Sequence, residues 1–290
     1  MTQTSNPLRQ YFRQPAIYLR LPTGGKHWPA GALDMPGNGE LPVLPMTAID
    51  EITYRTPDGL FNGQAVVSVI QSCVPSIKDA WKIPQPDLNA ILTAIRIASY
   101  GHELEIGTKC PNCTHEDDYV LDLRTVLDQL KSADFDEPMV HGDLTITFRP
   151  MNYESQNITN QEQFEEQKMM QLLPTADMEE KEKILRMQEV LKKITELTLK
   201  ALKWSIASIR TPSAIVSEPE FIDDFLKNCD RALFTKIRDC VIELRQNSEI
   251  KPVGITCTEC DNVYEQPLTL DMTSFFAPAS WHLMLKKLPT

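Results

Sequence analysis

The sequence predicts an α+β protein with an irregular front, a helical middle and a small β-rich core. Eleven of the 21 prolines and seven of the 11 glycines lie in the first 90 residues, whereas no glycine occurs between Gly142 and Gly254. Two Cys-x-x-Cys pairs lie on either side of that glycine-free region. Because proline removes backbone donors and glycine loosens the backbone, we expect extended segments and turns at the front and long helices in the middle.

The overall composition is that of a globular chain with a strong acidic excess. The 290 residues are 42% hydrophobic, enough for a sizeable core, and carry a formal net charge of −11. Nucleic-acid phosphates are bound by clustered lysines and arginines, so no nucleic-acid partner is expected. No apolar run approaches the ~20 residues that cross a bilayer, and no apolar signal core begins the chain, so no membrane association is expected.

The N-terminal residues are a basic and aromatic exception to this charge. The first 33 residues contain three arginines, one lysine and no acid. We predict an extended basic arm over residues 1–15 whose order depends on a partner, followed by an edge strand over residues 16–21. Aromatic rings supply contact area and guanidinium groups pair with carboxylates. The candidate partner-binding residues are Arg9, Tyr11, Phe12, Arg13, Tyr18 and Arg20.

Residues 16–150 are predicted to form an N-terminal α+β part. Short helices are expected to begin at Thr47 and Gln64. Asp87 is predicted to cap a helix over residues 88–100, where apolar residues recur at three- and four-residue spacing, and Gly101 is predicted to end it. An alternating strand is expected over residues 144–148.

Residues 151–250 are predicted to be a large all-α insertion. Its first two helices, over residues 153–173 and from Asp177 to about residue 209, are separated by Pro174 and form an antiparallel hairpin because the link is short. The apolar stripe of the second helix is typical of ordinary core, with a partner-facing projection as the alternative. Two further helices are expected over residues 221–228 and 231–246.

Both cysteine pairs lie in the same local frame, with glycine three residues before the first cysteine and alternating apolar segments around them. This frame predicts two rubredoxin-like knuckles. Together Cys110, Cys113, Cys257 and Cys260 would give the tetrahedral four-sulfur cage that zinc prefers. Because 143 residues separate Cys113 from Cys257, we expect the helical region to be inserted into a zinc-ribbon-like core. Residues 251–290 then return to the core as the second knuckle and a C-terminal tail.

Other arrangements of these thiols remain open from sequence. The site could be completed by another subunit, hold iron instead of zinc, or consist of metal-free or redox thiols. Neither pair precedes a helix of a βαβ unit, which argues against redox chemistry. His115 and the acidic residues 116–118 are possible replacement ligands, although an exposed turn is the favoured interpretation. Cys73, Cys229 and Cys240 are predicted to be reduced core cysteines.

The predicted zinc is structural, because four cysteines fill its coordination shell and leave no open position. The sequence also has no glycine-rich phosphate loop, no Gly-x-Ser-x-Gly and no His-Glu-x-x-His. We therefore predict that the chain is not an enzyme.

Several short segments, taken in order, resemble a known family. They are residues 6–13 (NPLRQYFR), 17–22 (IYLRLP), 40–48 (ELPVLPMTA), 57–63 (PDGLFNG) and 96–101 (RIASYG) before the first Cys-x-x-Cys. Their combination is similar to the baseplate hub subunit family of T-even-type contractile-tail bacteriophages, mainly over residues 6–155.

This resemblance implies a virion component of the tail baseplate, present in the host cytoplasm during assembly. Its partners would be other phage baseplate or tail proteins in a multi-subunit assembly, and it implies no active-site residues. A transient assembly factor that is absent from the mature virion is one alternative. The alternative from a different class is a zinc-ribbon regulator that binds nucleic acid.

Overall fold

The computed structural model describes residues 6–55, 63–173 and 179–268. It confirms the α+β class, with eight α-helices and ten short strands among the described residues. None of the described helices is long and apolar enough to span a membrane.

The front of the chain packs a two-stranded sheet against three helices. The sheet pairs β1 (Ile17–Leu19) antiparallel with β2 (Leu41–Val43), so the strand expected over residues 16–21 is present but shorter. The helices are α1 (Ala48–Tyr54), α2 (Gln64–Cys73) and α3 (Gln85–Tyr100).

Local signals set the ends of these helices. Thr47 caps α1 in a capping box, because its side chain accepts from the N–H of Asp50 while the Asp50 carboxylate accepts from the N–H of Thr47. Gly101, with a φ of 88°, ends α3 as predicted.

Asp87 does not cap α3, contrary to the prediction. The helix begins two residues earlier, after Pro84, since a proline-rich start suits the first helical turn. The Asp87 carboxylate is instead fully buried and accepts from the N–H of Thr23 at 2.9 Å, the hydroxyl of Thr23 at 2.6 Å and the indole of Trp28 at 2.7 Å. Burial raises the pKa of Asp87, although these three hydrogen bonds oppose the shift. Asp87 therefore ties the preceding turn to the helix.

Two β-hairpins carry the cysteine pairs. The first joins β3 (Glu103–Lys109) to β4 (Glu116–Asp122) and leads into the short helix α4 (Leu123–Gln129). The second joins β9 (Val253–Thr256) to β10 (Val263–Gln266) near the end of the described chain.

A four-stranded antiparallel sheet lies between these hairpins in the sequence. Its strands are β5 (Met139–His141), β6 (Leu144–Phe148), β7 (Ile206–Arg210) and β8 (Ile215–Val216), in that spatial order. This corrects the prediction that residues 151–250 are all helical and that the second long helix continues to residue 209. Ile206 and Ile209 continue the apolar spacing of that helix, but their branched side chains pack on the sheet once β6 supplies a partner strand.

Four helices complete the region. They are α5 (Tyr153–Leu172), α6 (Glu180–Ser205), α7 (Pro219–Asn228) and α8 (Arg231–Asn247). Lys193 pairs with Glu166 at 2.9 Å and Lys200 with Glu162 at 2.7 Å. The partner's number falls as the lysine's number rises, so α5 and α6 form the predicted antiparallel hairpin. The predicted break at Pro174 and cap at Asp177 lie outside the described residues.

The buried side chains form two clusters. The first surrounds α2 and α3 and includes the fully buried Ile70 and Ile91. The second lies between the four-stranded sheet and helices α6 to α8 and includes Ile146 and Ile237, which are 0% exposed. The helical region therefore has a core of its own, as an insertion requires.

Candidate metal centre

Each cysteine pair lies in the turn of its hairpin, and the two turns have the same backbone geometry. In the first, Cys110 N–H donates to His115 O at 2.9 Å and Thr114 N–H donates to Cys110 O at 2.9 Å. In the second, Cys257 N–H donates to Asn262 O at 2.9 Å and Asp261 N–H donates to Cys257 O at 3.1 Å.

The residue after the second cysteine adopts the left-handed conformation in both turns. Thr114 has a φ of 61° and Asp261 a φ of 54°. Such a conformation is uncommon for residues other than glycine, so its repetition shows that both turns are shaped in the same way. This geometry turns the two sulfurs of each pair to the same side.

The structure brings the four predicted cysteines together. Cys110 Sγ lies 3.7 Å from Cys260 Sγ, and Cys113 Sγ lies 3.6 Å from Cys257 Sγ. All four sulfurs lie within 4.8 Å of one another. Cys110 and Cys257 are buried, whereas Cys113 and Cys260 are partly exposed.

These distances fit a tetrahedral ion. Zinc–sulfur bonds are about 2.3 Å long, and a regular tetrahedron of that radius separates its corners by about 3.8 Å. Both short sulfur–sulfur distances lie close to this value. Among the described residues the cluster contains no histidine or carboxylate, so His115 and residues 116–118 are not part of it.

Side-chain amides lie next to the sulfurs in a reciprocal pattern that the sequence analysis missed. Asn112 Nδ2 in the first turn donates to Cys260 Sγ at 3.6 Å, and Asn262 Nδ2 in the second donates to Cys110 Sγ at 3.9 Å. Such donors offset the negative charge of a thiolate and orient it. The only local signal is an asparagine two residues after a cysteine in each knuckle.

A further contact joins the two turns directly. Thr258 Oγ1 donates to Asp117 Oδ2 at 2.8 Å, over 141 positions of sequence. The turns are therefore fixed to each other by side-chain hydrogen bonds as well as by the position of the sulfurs.

The thiols of the first knuckle have opposite tendencies to ionise. Hydrogen bonds from the backbone N–H groups of Cys113 and Asn112 lower the pKa of Cys110 to about 6, although its partial desolvation opposes this. The N–H of His115 favours the Cys113 thiolate, but burial and the neighbouring sulfurs outweigh it and raise the pKa of Cys113 to about 12. Four crowded thiolates repel one another, which is the arrangement that a divalent cation neutralises.

The predicted partner-binding residues lie away from the cysteines and differ in exposure. Tyr11, Phe12 and Tyr18 are 77%, 54% and 62% exposed. Arg9 is exposed, and Arg20 is exposed with an ion pair to Glu40 at 3.0 Å.

Arg13 is held by its own chain. Its guanidinium donates to Pro45 O at 2.6 Å, to Ser72 O at 2.7 Å and to Asp50 Oδ2 at 3.1 Å. Residues 6–15 of the predicted arm thus have an internal anchor, whereas the arm was expected to depend on a partner for its order. The sequence gave no sign of this because the three acceptors lie on different segments.

The comparison with protein families places the chain in a class of phage structural proteins. A family model described as T4 bacteriophage base plate protein matches residues 50–277. The match covers more than three-quarters of the chain and includes both cysteine pairs, so the chain belongs to this family. Searches of curated proteins and of solved structures gave no match. Membership points to the virion tail and to other tail or baseplate proteins as partners.

Proposed function

We propose that this chain is a structural hub subunit of a contractile-tail baseplate that acts through protein contacts and holds one structural zinc ion. The observation that carries the proposal is the convergence of four cysteine sulfurs from two distant hairpins in a base plate family member. No reaction is part of the proposed role.

The four thiolates would hold the ion in a closed shell. Bound Zn²⁺ would supply positive charge that neutralises the thiolates and a link between the two hairpins. Asn112 and Asn262 would donate to ligand sulfurs from outside the shell. Because the first knuckle precedes the helical region and the second follows it, this link would hold the two ends of the insertion together.

The proposed contact surface is the exposed apolar patch of the arm. Leu8, Tyr11 and Phe12 are each more than half exposed. Arg13 anchors the arm beside Asp50 of α1, and Ile49 on the same helix is 75% exposed. Exposed apolar side chains that are concentrated in one region mark protein interaction sites. Arg9, Tyr18 and Arg20 remain predicted contacts at its edges, whereas Arg13 acts as the anchor.

The charge around the knuckles favours a protein partner over a nucleic acid. The first hairpin carries Glu116, Asp117 and Asp118, and the second turn carries Glu259 and Asp261. These carboxylates would repel a phosphate backbone, whose binding requires clustered cations.

Incorporation into purified tails tests the proposed surface. A phage that encodes Tyr11→Ala and Phe12→Ala together should assemble tails that contain little or none of this chain. Its thermal stability should stay close to wild type, because both side chains are exposed. Phe221→Ala is the matched control, since Phe221 is 63% exposed on α7, far from the arm in sequence.

Normal incorporation of the double variant would rule out this surface. If wild-type chain is found in assembly intermediates but not in mature tails, the hub role is wrong and the transient assembly factor is correct. Tight binding to DNA with a steep salt dependence would favour the regulator.

A further inference from the structure

A groove of about 460 Å³ runs between helices α5, α6 and α8. One side is apolar and is formed by side chains that include Ile194 and Leu197 of α6 and Val241 and Leu244 of α8. The groove lies at the edge of the second core cluster and is not part of the metal centre. Its volume is within the ~300–1,000 Å³ of typical binding pockets.

The opposite side of the groove is lined by amides. Gln156, Asn160, Gln163 and Gln167 recur at three- and four-residue spacing on α5, so they lie along one face of that helix. Side-chain amides both donate and accept, which matches the alternating N–H and C=O groups of a peptide backbone. A groove with one apolar wall and one amide wall therefore has the chemistry of a site for a peptide segment.

One of these amides has an unmet hydrogen-bonding need. Gln156 Oε1 is buried, and no described residue donates a hydrogen bond to it. A buried acceptor without a donor costs roughly 1–3 kcal/mol. An occupant that brings an N–H group into the groove would remove this cost.

We propose that the groove holds the chain's own C-terminal segment, residues 269–290. This segment contains Phe275, Phe276 and Trp281, followed by Leu283, Met284, Leu285 and Leu288. It supplies large apolar side chains for the apolar wall and backbone or indole N–H groups for the amides.

The segment is long enough to reach the groove. Val253 pairs with Gln266 in the second hairpin, so the chain leaves the described structure beside the residues that follow α8. Arg245, which lines the groove, is eight residues before Val253 and therefore at most about 30 Å from it. The 22 residues after Leu268 span up to about 70 Å when extended.

Charge favours the same assignment. The segment carries Lys286 and Lys287 and one acid, Asp271, in a chain with a net charge of −11. Helix α5, which forms the amide wall, carries four glutamates and one lysine. A basic segment is attracted to an acidic wall.

Hydrogen exchange of the full-length protein tests the proposal. Peptides from residues 269–290 should exchange at least about tenfold more slowly than an unprotected chain. Thr198→Trp would fill the groove, because Thr198 lines it from an exposed position on α6. This variant should return the segment to the unprotected rate.

Thr195→Trp is the matched control. Thr195 is also exposed on α6, does not line the groove, and its hydroxyl donates to the carbonyl four residues earlier at 3.0 Å as that of Thr198 does. It should leave the protection unchanged.

A second test changes the segment instead of the groove. The combined change Phe275→Ser, Phe276→Ser and Trp281→Ser should speed exchange of the groove residues of α8 without unfolding the core.

Three results would overturn the proposal. The first is a wild-type segment that exchanges at the unprotected rate. The second is protection that survives Thr198→Trp while the rest of the fold is intact. The third is protection that disappears on dilution, which would show that a second copy supplies the segment.

Discussion

Replacing Cys257 by serine should lower the free energy of unfolding by about 5 kcal/mol when the metal is bound in the wild type. The bound metal links the two hairpins, and the shortest path between them encloses the 143 residues between Cys113 and Cys257. In the chain-entropy treatment, a cross-link that closes a loop of this length restricts the unfolded chain by about 5 kcal/mol at 25 °C. The hydrogen bond between Thr258 and Asp117 remains in the variant, so the fold should persist with lower stability.

Urea unfolding, followed by circular dichroism with and without a zinc chelator, measures this difference. Cys240→Ser is the matched control, because Cys240 is a partly exposed cysteine of α8 outside the cluster. The chelator should bring wild type and Cys240→Ser down to the stability of Cys257→Ser and leave that variant unchanged. A wild-type midpoint that the chelator does not move would refute the reasoning, as would an equal response from Cys257→Ser.

Three further predictions concern groups outside the cluster. Arg13→Ala should cost about 2–3 kcal/mol in thermal unfolding, since a charged donor to three acceptors is lost; a cost below about 0.5 kcal/mol would show that the anchor is unimportant. Burial works against ionisation of Asp50, but hydrogen bonds from Thr47 and the charge of Arg13 hold the pKa of Asp50 below its ordinary value. Asp50 therefore contributes stability above the ordinary pKa that is lost as the pH falls, and Asp50→Asn should cost more at pH 7 than at pH 3. The pKa of Asp87 is raised, so its contribution is greatest below the ordinary pKa of aspartate and declines as the pH rises through its folded-state pKa; wild type should gain on Asp87→Asn between pH 7 and pH 3, and a change in the opposite direction would contradict this assignment.

The helix ends and the hairpin could be read from local sequence. Thr47 begins α1 and Gly101 ends α3, because both act through their own backbone neighbourhood. The antiparallel pairing of α5 and α6 followed from periodicity and a short link. Asp87 shows the limit of such reasoning. An aspartate near a helix start is a good cap, but a pair of prolines began the helix earlier and Thr23 and Trp28 offered donors from 59 or more positions away.

The candidate metal centre was predictable because its signal is repeated. The same glycine-to-cysteine spacing occurs twice, and the two knuckles meet despite the residues between them. The strands β7 and β8 were not predictable, since Ile206 and Ile209 also fit the helical period and only pairing with β6 decides between the two structures. The anchor at Arg13 and the amide donors at Asn112 and Asn262 depend on long-range contacts in the same way.

Metal content of the native protein tests the central claim most directly. Chain purified without chelators should contain one zinc per polypeptide by elemental analysis, and X-ray absorption should show four sulfur neighbours at about 2.3 Å. Protein that lacks bound metal, that holds iron, or whose zinc has nitrogen or oxygen neighbours would contradict the account.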